Sequence, residues 1–146
     1  MQEGSKPIIV EQVFNAPIRK VWQVITNIAD MRYWFFDNIP DFKPELGFKT
    51  KFNVSSGERN FLHQWQITEV EPLKKIVYDW SYAQYPGRGV VVFELFENIS
   101  KTQLRVTSYG MESFPQDIPE FTRASCIGGW NYFIKQNLKE YLDKKQ

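Results

Sequence analysis

Between Gly47 and Ser108 the large apolar side chains recur at every second residue, whereas from Ile18 to Ile28 and again from Ile127 to Tyr141 they recur at every third or fourth. A period of two places alternate side chains on one face of a strand, and a period near 3.6 places them on one face of a helix. The chain must therefore join a set of half-buried strands to helices at both ends. Phe48, Thr50, Phe52 and Val54 share a face opposite Lys49, Lys51 and Asn53, and Phe61, His63, Trp65 and Ile67 alternate with Leu62, Gln64, Gln66 and Thr68. The Glu71-Pro72 break leads into Ile76, Tyr78, Trp80 and Tyr82, and Ala83 to Gly89 reads as a loop. Val91, Phe93 and Leu95 follow, then Leu104, Val106 and Ser108 across the turn from Asn98 to Lys101. With Ile8 to Phe14 ahead of the first helix the count is six strands, joined closely enough for an antiparallel meander.

The flanks read as helices. Asn15 is placed to cap a first helix whose apolar face is Ile18, Val21, Trp22, Ile25 and Ile28, with Pro17 tolerated in its first turn. Asp30 is expected to cap a short second helix carrying Met31, Trp34 and Phe35, which Pro40, Pro44 and Gly47 prevent from continuing. Asp117 and Glu120, around Pro119, are expected to open a long helix reaching about Asp143, with Ile127, Trp130, Ile134, Leu138 and Tyr141 in one stripe. Six strands make a sheet about 29 Å wide, while such a helix is a rod about 39 Å long and only about 10–12 Å thick. A twisted sheet curling around that rod leaves a concave space between the two, which makes a ligand cavity an expectation.

Composition narrows the rest. The 146 residues suit one domain, 1–146, with an ordered core of about 8–143. Eighteen basic against 17 acidic residues give a net charge of +1, which provides no field for gathering nucleic acid. Cys126 is the only cysteine and His63 the only histidine, so neither a disulfide within the chain nor a multi-histidine or thiolate metal site is available, and no cofactor is expected. The single cysteine fits a reducing, cytoplasmic compartment. Met1 to Pro7 is polar, with Glu3 and Lys6, unlike a secretory signal, and the longest uncharged apolar run, Ala124 to Ile134, is too short for membrane insertion. Gly87-x-Gly89 precedes a strand, whereas a phosphate loop opens a helix. Lys43, Lys49, Lys51, Lys139, Lys144 and Lys145 read as solvated faces.

Asn15-Ala16-Pro17 with Val21-Trp22, then Trp34-Phe35, Gly47-Phe48, Val70-Glu71-Pro72 to Ile76-Val77-Tyr78-Asp79-Trp80, Phe93-Glu94-Leu95, Thr102-x-Leu104-x-Val106 and Gly129-Trp130 stand in an order that resembles the START-like superfamily. The resemblance spans about residues 8 to 143 and is closest to the branch related to activators of the ATPase of the 90-kilodalton heat-shock chaperone. It implies an α+β helix-grip fold: a curved six-stranded antiparallel sheet wrapped around a long C-terminal helix, with two short N-terminal helices. Function transfers less well, since members of that superfamily include carriers of hydrophobic ligands, receptors, cyclases and chaperone co-factors.

The candidate site residues are polar groups on apolar faces and the rings around them. Gln12, Thr50, His63 and Ser108 each share a face with apolar neighbours and are expected to point inward. Each alone is explained by an internal hydrogen bond; the four converging would orient a ligand. Trp34, Phe35, Phe52, Trp65, Tyr78, Trp80, Phe93 and Trp130 either pack the core or wall the cavity. Gly128-Gly129 lies inside a helix, where each glycine costs about 0.8–1.0 kcal/mol relative to alanine. Either a close approach to the sheet or room for a ligand beside Trp130 offsets that cost. No serine or cysteine stands in a nucleophile motif, so catalytic residues are not assigned. The sequence leads to a non-enzymatic protein holding a small hydrophobic molecule. The alternatives are a co-chaperone acting on a heat-shock protein 90-type partner, which rests on the resemblance, and a cyclase- or hydrolase-like enzyme using the polar groups of the cavity.

Overall fold

The computed structural model describes residues 6–144, so Glu3 and Lys145 lie outside the described residues. The six expected strands are present: β1 (Ile8–Phe14), β2 (Lys49–Ser56), β3 (Arg59–Glu71), β4 (Lys75–Tyr82), β5 (Tyr85–Asn98) and β6 (Lys101–Tyr109). They form one antiparallel sheet in the order β1-β6-β5-β4-β3-β2, a meander from β2 to β6 with β1 added beside β6 in a register running from Ile8↔Ser108 to Phe14↔Thr102. Two short helices, α1 (Ile18–Thr26) and α2 (Ile28–Trp34), fill the connection from β1 to β2. The C-terminal rod runs unbroken from α3 (Arg123–Trp130) through eight residues of π-helix (Asn131–Leu138) into α4 (Lys139–Lys144). This is the helix-grip architecture.

Local chemistry differs from the expectation at several ends. Asn27, not Asp30, caps α2, because its side chain accepts from the N–H groups of Ala29 and Asp30. At α1 the cap position is Pro17, which lacks an N–H and has extended backbone, and Asn15 makes no cap bond. Thr122 caps α3 by accepting from Ser125 N–H; Glu120 belongs to a separate 3₁₀ turn, Pro119–Phe121, and its carboxylate is taken by Ser56. The segment Ala83–Gly89, expected as a loop, mostly belongs to β5, with Tyr82 paired to Tyr85 across a tight turn. β6 pairs with β5 only from Val90 onward, so Pro86 and the two glycines occupy a stretch with one free edge, where a missing ladder donor is tolerated.

The rod buries Trp130, Ile134, Leu138 and Leu142, one residue in every four, and not the expected Tyr141. Four residues overshoot a full turn of an α-helix by about 40°. The wider i→i+5 turns between Asn131 and Leu138 take up that drift and keep the stripe facing the sheet. Against it, Phe35 sits at the centre of a ring cluster, stacked on Trp34 at 4.7 Å and Trp65 at 5.4 Å and tilted against Trp130 at 5.8 Å. Both sheet edges are engaged by side chains. Lys135 Nζ donates to Glu11 O and Arg123 to Lys6 O and Pro7 O beside β1, while Asn38 donates to Asn53 O on β2.

The corner between β1 and α1 is held by Thr102, a fully buried β6 residue whose hydroxyl donates to Ala16 O at 2.8 Å. Thr102→Val leaves that carbonyl unpartnered in the interior. It should lower stability by about 1–3 kcal/mol in chemical denaturation without altering the m-value.

Candidate functional site

The rod starts too late, and is too thin, to cover the end of the sheet where β2 meets β3. A hollow of about 230 Å³ lies there and opens to solvent. Its sheet wall is made by Val54 and Ser56 of β2, Phe61 and His63 of β3, Trp80 and Tyr82 of β4, and Val91 of β5. The opposite wall is the start of the rod, with Ser125, Cys126, Gly129 and Trp130 of α3, and Phe133 beyond them. Phe36, Met111, Glu120 and Phe121 close the sides from connecting segments. Gly110, in the left-handed region at φ 78, turns the chain out of β6 toward Met111; a Cβ there would meet Arg88 O at 2.6 Å. Gly129 is different. A Cβ built on it meets nothing within 4 Å, so no close approach to the sheet demands a glycine, and the residue borders empty space.

His63 is the deepest polar group on the sheet wall, 6% exposed, with its ring stacked on Phe52 at 5.0 Å and edge-on to Tyr82 at 4.8 Å. Burial lowers its pKa to about 4, so the ring is neutral near pH 7. Its Nδ1 lies 3.0 Å from Phe61 O, and since a carbonyl can only accept, Nδ1 carries the proton. Nε2 is left as an acceptor. Trp80 Nε1 donates to Tyr82 Oη at 2.9 Å, which leaves the phenolic proton to donate, and burial raises the Tyr82 pKa far above its ordinary value. Glu120 has its carboxyl held below the usual range, first by the hydrogen bond from Ser56. Its Oε1 is buried without a hydrogen-bond partner, 3.7 Å from Arg59 Nη1, too long for a direct hydrogen bond. Burial raises the Cys126 thiol above its ordinary pKa, away from the thiolate. Among the described residues no group of three or more His, Cys, Asp or Glu side chains is placed to hold a metal.

Of the residues singled out from sequence, the fold brings His63, Trp80, Gly129 and Trp130 to this hollow. Trp34, Phe35, Phe52, Trp65, Tyr78 and Phe93 are buried in the packed core beside it, where Trp34 Nε1 donates to Val24 O. The three remaining polar candidates do not converge with His63. Gln12 is half-buried and donates to Val13 O, Thr50 is half-buried near the far end of β2, and Ser108 is buried with no partner for its hydroxyl. The residues that sequence reasoning missed fall into two groups. Val54, Ser56, Phe61, Tyr82 and Val91 continue the inward alternation of their strands, and Ser125, Cys126 and Phe133 stand three or four residues from Gly129, so a periodic signal for them existed. Phe36, Met111, Glu120 and Phe121 come from irregular segments, where no period reports which way a side chain faces.

Residues 15–143 match the family model described as "Activator of Hsp90 ATPase homolog 1-like protein" (AHSA1). The chain belongs to the AHSA1 family. Its fold is shared by the crystal structure of protein MLL2253 from Mesorhizobium loti, at 30% identity and TM-score 0.76 over 97% of this chain and 99% of that one. The Aha1 dimer from Colwellia psychrerythraea, solved in solution, matches at 19% identity and TM-score 0.72 over 94% and 96%. DynU16, described as a putative protein in the dynemicin biosynthetic locus, matches at 21% identity and TM-score 0.77 over 96% of this chain and 48% of that one. No curated protein sequence matches. Among the described residues of this AHSA1 member no helix is long and apolar enough to cross a membrane.

The buried histidine makes a pH prediction. The unfolded chain takes up its proton near 6.5 and the folded chain only near 4, so acid favours the unfolded state, and stability present at neutral pH is lost as the pH falls through that window. His63→Asn retains a donor toward Phe61 O and does not titrate. Between neutral and about pH 5 the wild type should lose about 2 kcal/mol more than this variant in urea titrations. Equal losses would show that His63 is not held neutral.

Proposed function

We propose that this AHSA1 member is a non-enzymatic binding protein that holds a small, mostly apolar molecule in the hollow between the sheet and the start of the C-terminal rod. The observation that carries the reading is Gly129: a helix-interior glycine with open space where its Cβ would stand, beside the rings of Trp80, Trp130 and Phe133. A dry apolar cavity of about 150 Å³ admits benzene. By that measure 230 Å³ fits a guest of roughly ten non-hydrogen atoms. Aromatic walls with a few fixed polar groups are the usual make-up of such sites.

A second reading, a co-chaperone acting on a heat-shock protein 90-type ATPase, is supported by the description of the family and by the Colwellia Aha1 neighbour. It would act through an outer surface rather than through the hollow. Stimulation of the host chaperone's ATP hydrolysis by the pure protein would favour it, and the hollow-filling variant below should leave any such stimulation unchanged.

Two substitutions separate ligand space from packing. Gly129→Ala should raise stability by about 0.8–1.0 kcal/mol in denaturant titrations, because helix propensity improves and nothing is struck. Gly129→Leu should keep the fold, judged by circular dichroism, and abolish the ligand-observed NMR signal of ethylbenzene seen with the wild type. If ethylbenzene gives the same signal with both proteins, the hollow is not where it binds.

A further inference from the structure

The walls of the hollow also bear on the kind of guest it takes, an inference that rests on the binding reading above. Seven rings line it besides His63, from Phe36, Phe61, Trp80, Tyr82, Phe121, Trp130 and Phe133, and the faces of such rings carry partial negative charge that attracts cations. Only one lining side chain bears a formal charge, the carboxylate of Glu120. No lysine or arginine lines the space. The cations nearby stand outside it: Arg59, its side chain 44% exposed, forms an ion pair with Glu120 at 3.7 Å from the solvent side, and Arg123 donates to Lys6 O and Pro7 O.

The hydrogen-bonding groups point the same way. Neutral His63 offers Nε2 as an acceptor, and Glu120 offers Oε1, buried with no hydrogen bond to it. The lining donors without a partner among the described residues, the hydroxyls of Tyr82 and Ser125 and the indole N–H of Trp130, are uncharged, and the Cys126 thiol is turned to Phe121 O. A guest carboxylate would give up its hydration for neutral partners and share a small space with Glu120. An ammonium or hydroxyl would instead supply the hydrogen bond that Nε2 lacks and that the 3.7 Å ion pair with Arg59 leaves unmade at Oε1.

We infer that the hollow selects by charge, taking a small aromatic or alicyclic molecule whose polar end is a hydrogen-bond donor, an amine or an alcohol, and turning away the corresponding carboxylic acid. His63, on the same face of β3 as Arg59 and Phe61, lies four residues inward from the turn beside Glu120, so the two acceptors serve the deep and the outer ends of the hollow.

The test uses four probes of one shape at neutral pH: ethylbenzene, phenethyl alcohol, phenethylamine and phenylacetate, titrated calorimetrically into the full chain. Phenylacetate should bind at least about tenfold more weakly than phenethyl alcohol, and phenethylamine at least as tightly as the alcohol. Glu120→Gln, which keeps an acceptor for Ser56, should erase any advantage of the amine over the alcohol and narrow the gap to phenylacetate. Phenylacetate binding as tightly as the alcohol, or the amine binding more weakly than the alcohol, would overturn the charge selectivity while leaving the binding reading in place. Failure of all four probes, ethylbenzene included, would overturn the binding reading itself.

Discussion

A single helical rod cannot cover a six-stranded sheet, and the arrangement of the whole molecule follows from that shortage. The sheet offers an apolar face about 29 Å wide, and the rod supplies a strip only about 10–12 Å thick. At one end α1, α2 and the Phe35 ring cluster make up the difference, and the interior there is packed side chain against side chain. At the other end, around the β2–β3 turn, no further helix docks among the described residues, and only a small cluster of Phe61, Phe114 and Phe121 from the sheet and the connecting turns is available. Aromatic side chains line the gap without filling it. The place of the hollow is thus a consequence of where the N-terminal helices dock.

The parts of this architecture that obey a period could be read from the chain. Alternation along Phe61, His63, Trp65 and Ile67 placed β3 and its inward face correctly, and the wedge of helix-breaking residues after Phe35 marked the end of α2. The rod's stripe was readable as far as Leu138, then slipped by one residue at Tyr141, because eight residues of π-helix change the period without changing the composition. Caps were misassigned for a different reason. Asn15, Asp30 and Glu120 are chemically suited to the task, and the choice of Asn27 and Thr122 is made by where the backbone turns, which short-range pattern does not encode.

The candidate site shows the same division. His63, Trp80, Gly129 and Trp130 lie on regular elements, and their spacing announced them. Glu120, the one charged group of the lining, lies on a short 3₁₀ turn and is brought in by Ser56, 64 residues away in sequence. A polar residue on an apolar strand face was also a weaker sign than it looked. Ser108 shares the pattern of His63 and pairs with Val91 of the hollow's wall, yet it ends buried beside the hollow rather than in its lining, with no partner for its hydroxyl.

The open sheet has two borders, and at each of them a main-chain oxygen is already taken, Glu11 O of β1 by Lys135 and Asn53 O of β2 by Asn38, while Arg123 holds Lys6 O and Pro7 O just ahead of β1. An incoming extended segment would have to displace charged or amide side chains before it could zip onto either side. The fold thereby guards itself against growing into fibrils by lateral accretion. The same side chains act as gatekeepers for an edge strand, β1, whose outer face exposes Ile9 and Val13.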